Sequence, residues 1–154
     1  MRSKTKILMV CLGNICRSPL AEGILKSKLP KDNFYVDSAG TGDWHVGQNP
    51  DPRSIAVAKK YGIDISKQQG RQITATDMEE FDLIYVMDIS NKKNVLYLSS
   101  IKKHQSKVDL ILNALFPNEN VDVPDPYYGN KNDFEHVYKL LDQSCEIIAK
   151  KLLL

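Results

Sequence analysis

An unbroken apolar run, Ile7 to Val10, passes straight into Cys11-Leu12-Gly13-Asn14-Ile15-Cys16-Arg17-Ser18-Pro19 and then into Leu20-Ala21-Glu22-Gly23-Ile24-Leu25. The run reads as a buried strand. The segment from Pro19 reads as the start of a helix, where proline is favoured because its missing N–H leaves no donor unpaired. Between them the chain must turn sharply. Gly13 permits a tight bend, and Asn14 tolerates a left-handed conformation better than most residues.

Five residues separate Cys11 from Arg17. That spacing lets the backbone wrap one tetrahedral oxyanion with its N–H groups while both side chains reach the same anion. Arg17 adds a planar, permanently charged fork matched to two phosphate oxygens. The same positive field favours a thiolate over a thiol, and Ser18 is placed to hydrogen-bond the sulfur. On spacing alone, Cys11 reads equally well as a small buried hydrophobe and Arg17 as a solvated helix residue. The strand before, the helix after, and Gly, Asn and Ser-Pro between them favour a phosphate cradle with a nucleophile in its floor, Leu12 to Ser18 supplying the anion contacts.

Strand and helix patterns alternate along the rest of the chain. A helix over about Pro19 to Leu29 stops at Pro30, and Phe34 to Ser38 form a second strand. Ala39 to Arg53 is a loop containing Trp44. A helix from roughly Pro52 to Tyr61 closes at Gly62, and Ile63 to Thr76 is turn-rich, with Asp77 capping a short helical turn. Leu83 to Met87 is a continuous buried strand, followed by a strand-end loop from Asp88 and a helix over about Ser90 to Leu98. Val108 to Leu112 is the fourth strand, Asn113 to Asn132 a long loop, and Asp133 caps a last helix. Phe134, Val137, Leu140, Leu141, Cys145, Ile148 and Leu152 recur on that helix at helical spacing. The expected fold is a single-domain, three-layer α/β sandwich over residues 1–154, with a flavodoxin- or Rossmann-like, four-stranded parallel sheet and the phosphate loop after the first strand. Ligands of such sheets sit beyond the carboxyl ends of the strands. Cys11, Ser38, Asp88 and the loop after the fourth strand all lie at that rim.

Composition narrows the classes. Hydrophobic residues at 42% and charged residues at 26% describe an ordinary globular protein, and 154 residues suffice for one real core. A net charge of +2 with scattered lysines argues against nucleic acid as partner. The basic start is followed by too short an apolar run for a signal peptide, and no stretch approaches the ~20 residues of a membrane span, so the expected compartment is the cytoplasm. Three cysteines do not make a disulfide framework. His45, His104 and His136 lack ligand spacing and read as surface residues, which speaks against a metal site.

A thiolate that attacks a phosphate ester expels an oxygen that needs a proton. Asp125 is held between Pro124 and Pro126, which restrict its backbone, although Asp-Pro is also ordinary turn chemistry. Tyr127 and Tyr128 read as half-buried loop anchors or as an aromatic wall. Asp88 or Ser90 reads as a helix N-cap. Cys16 reads as a packed thiol or as a disulfide partner for an oxidised Cys11.

Cys11 to Ser18, together with Asp125-Pro126-Tyr127-Tyr128-Gly129, resembles the low-molecular-weight protein tyrosine phosphatase family, and the resemblance runs over essentially the whole chain. It implies hydrolysis of phosphotyrosine in proteins through a cysteinyl-phosphate, without metal or cofactor. It also implies Asp125 as general acid and then base, and walls from Trp44 on one side and Tyr127 and Tyr128 on the other. Asn14, Ser18, Ser38 and Asp88 then support the loop, and Asp51-Pro52-Arg53 also match. The implied partners are phosphotyrosine proteins, with phosphate, vanadate or sulfate as active-site anions, for a monomer or weak dimer. Ile15 stands where relatives directed at phosphoarginine tend to have threonine. Family members often carry a histidine between Gly62 and Arg71, where this chain has Ser66-Lys67-Gln68-Gln69. That departure bears on stability rather than chemistry.

Two other readings compete. An arsenate reductase shares the fold and loop but passes oxidation along further cysteines, and Asp88 to Leu112 contains none. A non-catalytic phosphotyrosine-binding adaptor needs neither Cys11 nor Asp125.

Overall fold

The computed structural model describes residues 3–154, so the first two residues of the basic start lie outside the described residues. Four strands, β1 (Thr5–Cys11), β2 (Phe34–Gly40), β3 (Leu83–Val86) and β4 (Val108–Leu110), form one sheet in the order β2-β1-β3-β4. Every neighbouring pair is parallel, with Cys11 opposite Gly40 and Val10 opposite Val86. The chain leaves β1 to build one edge and returns past it to build the other. The switch therefore falls between β1 and β3, and a crevice opens beyond their carboxyl ends.

The helices are α1 (Arg17–Lys28), α2 (Pro52–Lys60), α3 (Ala75–Glu80), α4 (Ile89–Leu96), α5 (Lys102–Gln105) and α6 (Lys131–Leu152). Side chains alternate across β1, so its two faces feed two cores. Ile7, Met9 and Cys11 pack with Leu20, Ile24, Leu141 and Cys145 from α1 and α6, while Leu8 and Val10 pack with Met78, Ile84 and Val95 on the α3 and α4 side. This is the expected three-layer arrangement. No helix among the described residues is long and apolar enough to cross a membrane.

Several boundaries shift for local reasons. α1 starts at Arg17, two residues before Pro19, so the arginine sits within the first helical turn. Asp77 and Asp133 do not cap their helices. Thr74 and Asn130 do, and each aspartate, three residues on, reaches back to the cap's own N–H in a capping box. β4 ends at Leu110 instead of Leu112 and passes into a 3-10 turn, Ile111–Ala114. There the Asp109 carboxylate takes the N–H of Leu110 at 2.9 Å and the amide of Asn113 at 2.8 Å, local bonds that compete with a continued ladder. α5, a single polar turn, has no apolar period by which to foresee it. α2 gives way at Tyr61 to Gly62, which has a φ of 82°.

The turn-rich stretch after α2 is tied to the sheet edge. Gly40 N–H donates to the Arg71 carbonyl and Ile73 N–H donates to the Gly40 carbonyl, both at 2.8 Å. Near the expected family histidine, Asn49 Nδ2 donates to the carbonyls of Ser66 and Gln68, and Gln68 Nε2 to that of Pro19. Those bonds anchor the segment to α1 without an imidazole.

Leu141 is fully buried between α6 and α1. Leu141→Ala should lower the unfolding free energy by about 2–5 kcal/mol, since a cavity adds to the lost transfer energy; urea denaturation measures it.

Candidate active site

The turn after β1 carries the site. Asn14 has a φ of 58°, so the backbone reverses its curvature there and amides on either side of it face one concavity. Asn14 N–H donates to Cys11 Sγ at 3.3 Å. Among the described residues, the N–H groups of Leu12, Gly13, Ile15, Cys16 and Arg17 donate to no protein acceptor. Buried amides are nearly always paired, so this set is an anion receptor by construction. Cys11, Leu12, Gly13, Ile15, Cys16 and Arg17 line a cavity of about 420 Å³.

Side chains behind the loop fix its shape. Asn14 Nδ2 donates to Ser18 Oγ at 2.8 Å and to Ser38 Oγ at 3.0 Å, and Asn14 Oδ1 accepts the Arg71 N–H at 3.0 Å. Ser38 Oγ in turn donates to Glu22 at 2.7 Å. Ser18 Oγ accepts from Asn14, so its own hydrogen is free to go elsewhere. Cys11 Sγ lies at 3.0 Å and the Ala39 carbonyl at 3.5 Å, both within reach of that hydrogen. Towards a thiolate, which has no hydrogen of its own, Ser18 is the donor.

Arg17 is only 2% exposed. Its Nη1 donates to Asp88 Oδ2 at 2.8 Å and to the Val123 carbonyl at 3.0 Å. Nη2 reaches towards Asp125 Oδ2 at 3.7 Å. The other oxygen of Asp88 caps α4 through the Asn91 N–H at 2.7 Å. Asp88 therefore is an N-cap and a partner of Arg17 at once. Asp125 is exposed at the cavity mouth, and its Oδ1 accepts the N–H of Tyr127 at 3.1 Å.

The rim is built from two loops. Trp44, His45, Asp125, Tyr127 and Tyr128 all line the same cavity. The two tyrosine rings meet edge to face at 4.9 Å, and Tyr128 stands 93% exposed. Ser38 and Asp88 do not touch the cavity but stand behind it, as loop support requires.

Four contributors escaped the sequence reading, and a fifth, Arg53, does more than its match implied. Glu22, one helical turn beyond Ser18, is buried at 4% exposure, and burial pushes its carboxyl above the usual range while hydrogen bonds from Lys26 and Ser38 pull it back. An acid inside an otherwise apolar helix start was the signal. Arg71 pairs with Asp37 and, through two bonds, with Asp77, pinning the backbone that holds Asn14. Gly40 supports the loop by close approach: a Cβ there would lie 2.8 Å from the Leu12 carbonyl oxygen and 3.1 Å from Asn14 N. His45 is half-buried at the cavity rather than a free surface residue, and a Cβ on Gly13 would sit 3.0 Å from its ring. At position 13 a side chain would crowd that ring, whereas the left-handed residue of the turn is Asn14. Arg53 joins Asp51 by a fork and also donates to the carbonyls of Tyr127 and Gly129, tying the start of α2 to the loop that carries Asp125.

The family model for low molecular weight phosphotyrosine protein phosphatases matches residues 6–153. A low molecular weight phosphotyrosine protein phosphatase of Sus scrofa is 38% identical over 151 residues, covering 95% of this chain and 94% of its own. A putative low molecular weight protein-tyrosine-phosphatase of Synechocystis is 41% identical over 144 residues, covering 91% of each. Among solved structures, a protein tyrosine phosphatase from Entamoeba histolytica with Hepes in the active site superposes with a TM-score of 0.90 at 34% identity, over 97% of both chains. Vibrio vulnificus Wzb in complex with benzylphosphonate gives 0.87 at 33% identity, over 97% of this chain and 99% of its own.

Cys11, Cys16 and Cys145 are all free thiols. Burial pushes the Cys16 thiol up to about 12, with the negative charges of Asp51, Cys11 and Asp125 adding to it, and burial also drives Cys145 upward. A raised thiol stays protonated and unreactive below that value. Iodoacetamide at pH 7 should therefore label Cys11 alone by mass spectrometry. Label at Cys16 should appear only as the pH approaches 12 or on unfolding.

Proposed function

The chain belongs to the low molecular weight phosphotyrosine protein phosphatase family, and we propose that it hydrolyses phosphotyrosine in proteins with Cys11 as nucleophile, Arg17 as phosphate clamp and Asp125 as general acid and base. The observation that carries this reading is a sulfur held in the floor of an amide-lined cup by Ser18 Oγ at 3.0 Å, with Arg17 and Asp125 meeting 3.7 Å apart at its mouth. Nucleophile, clamp and acid then address opposite sides of one phosphorus.

In the first step Cys11 Sγ attacks phosphorus as the bond to the tyrosyl oxygen breaks. The unpaired loop amides and Arg17 Nη2 take up the equatorial oxygens, an arrangement worth most when built before the charge develops. Asp125 Oδ2 passes its proton to the leaving oxygen, which departs as neutral phenol. In the second step Asp125, now a carboxylate, draws a proton from water as that water attacks the cysteinyl-phosphate. The P–S bond breaks, inorganic phosphate leaves, and the Ser18 hydrogen bond stabilises sulfur as leaving group. No step calls for a metal or cofactor.

Trp44 and Tyr127 flank the cup and suit a flat ring. A phosphotyrosine spans the depth between rim and sulfur more readily than the shorter phosphoserine. Ile15 in the cradle offers no hydroxyl to a guanidinium-linked phosphate. The arsenate reductase reading fails on the want of a relay thiol, since Cys145, the cysteine outside the loop, is buried in α6. The adaptor reading leaves Cys11 and Asp125 without purpose. We place the enzyme in a reducing cytoplasm, in keeping with its free thiols, as one phosphatase domain over 1–154 working as a monomer or weak dimer.

Turnover of aryl phosphates tests the assignment. Cys11→Ser should abolish product release while phosphate still binds. Asp125→Ala should lose about 10²- to 10⁴-fold in kcat on phosphotyrosine, yet far less on an ester whose leaving group needs no proton. An equal loss on both esters would remove Asp125 from the acid's role.

A further inference from the structure

A second groove adjoins the active site behind Arg53. Its volume is about 580 Å³, within the range of small-ligand sites, and α2 and the start of α6 form its walls. Phe134 lies at its base, and Arg53, Lys60 and Lys131 stand round it with a single carboxylate, Glu135. Glu135 already takes Lys60 at 3.1 Å and the Tyr61 hydroxyl. Lys131 is exposed and makes no ion pair among the described residues. Arg53 is forked to Asp51 and Lys60 is paired with Glu135, so the groove carries an excess of one positive charge, at Lys131. The other charged hollows do not: one sets Lys26 and Lys67 against Glu22 and Asp64, and another sets Lys4, Lys6 and Arg71 against Asp37, Asp77 and Glu80.

Arg53 is the partition between groove and active site. Its guanidinium lies 5.8 Å from the centre of the Tyr127 ring, which lines the catalytic cavity, and 4.5 Å from that of Phe134, which lines the groove. The two rings are therefore about 10 Å apart at most, the span of roughly three residues of extended chain at ~3.3 Å each. A polypeptide with its phosphotyrosine in the cup reaches the groove without leaving the surface.

We infer that this groove binds acidic side chains two to four residues from the phosphotyrosine, so that the enzyme prefers substrates with Glu or Asp on that flank. The inference rests on the phosphotyrosine reading above and adds its sequence context. A carboxylate arriving there meets Lys131 and Lys60, while the stem of its chain lies along Pro52 and Ala56, the exposed apolar lining of the groove. The contribution is electrostatic and near the surface, so it is modest and salt-dependent.

The test compares kcat/KM at low salt on phosphotyrosine peptides carrying Glu, Ser or Lys at those positions, on either flank, with a plain aryl phosphate as control. The Glu peptide on one flank should exceed the Ser peptide by about three- to tenfold, mainly through KM, and the margin should shrink at ~1 M salt. Lys60→Glu with Lys131→Glu should erase the margin and favour the Lys peptide, while aryl phosphate turnover stays unchanged and shows the variant folded. Equal rates on Glu and Ser peptides, or a preference surviving in the double variant, would overturn the inference. Turnover of the aryl phosphate with none of any phosphotyrosine peptide would instead overturn the substrate reading, and the groove's role with it.

Discussion

Everything at the site depends on one side chain whose amide ties three segments together. Asn14 gives both amide hydrogens to Ser18 and Ser38 and accepts the Arg71 N–H, while its own backbone sits at a φ of 58°. A left-handed non-glycine residue costs energy, and two buried bonds with a third part-buried one offset that cost. They also set directions. Ser38 donates to Glu22, so it accepts from Asn14. Ser18 accepts from Asn14, so it has a hydrogen left for sulfur. A carboxylate on the far side of the asparagine thus helps decide which group Ser18 accepts from, and leaves its hydrogen for the sulfur or the Ala39 carbonyl.

Arg17 raises the opposite problem, a charge taken out of water. Desolvation of a guanidinium is repaid only when its donors are met. Asp88 and the Val123 carbonyl meet one edge of the fork and leave the other facing the cup. Because Asp88 also caps α4, the position of the clamp is tied to a helix on the other side of the sheet.

Most of the chemistry was legible in the sequence because it is local or carried by distinctive residue types. Cys11, Arg17 and the turn between them are contiguous, and Asp125 with its tyrosines is marked by prolines and by the family resemblance. The parallel sheet followed from continuous apolar strands alternating with helical periods. Arg71 and Gly40 left no comparable mark. They act through backbone contacts with residues far away in sequence, and neither contact has a local pattern. The caps of α3 and α6 were placed three residues late because in a capping box the acid is the more conspicuous member and the true cap the less. Glu22 was visible as an acid among apolar neighbours, but only Ser38 and Asn14 in space give it a purpose.

The close approach at Gly40 bears on how far this loop can be moved. Its backbone rests on a bare methylene of the neighbouring strand, and its shape is pinned by an amide from a third segment, at Arg71. Cys11 to Ser18 is therefore not a self-contained cassette. Transplanted alone onto another strand-to-helix junction, it would arrive without either of these supports. The transferable unit is discontinuous, a loop with a flat place to lie and a distant peptide group to hold it there.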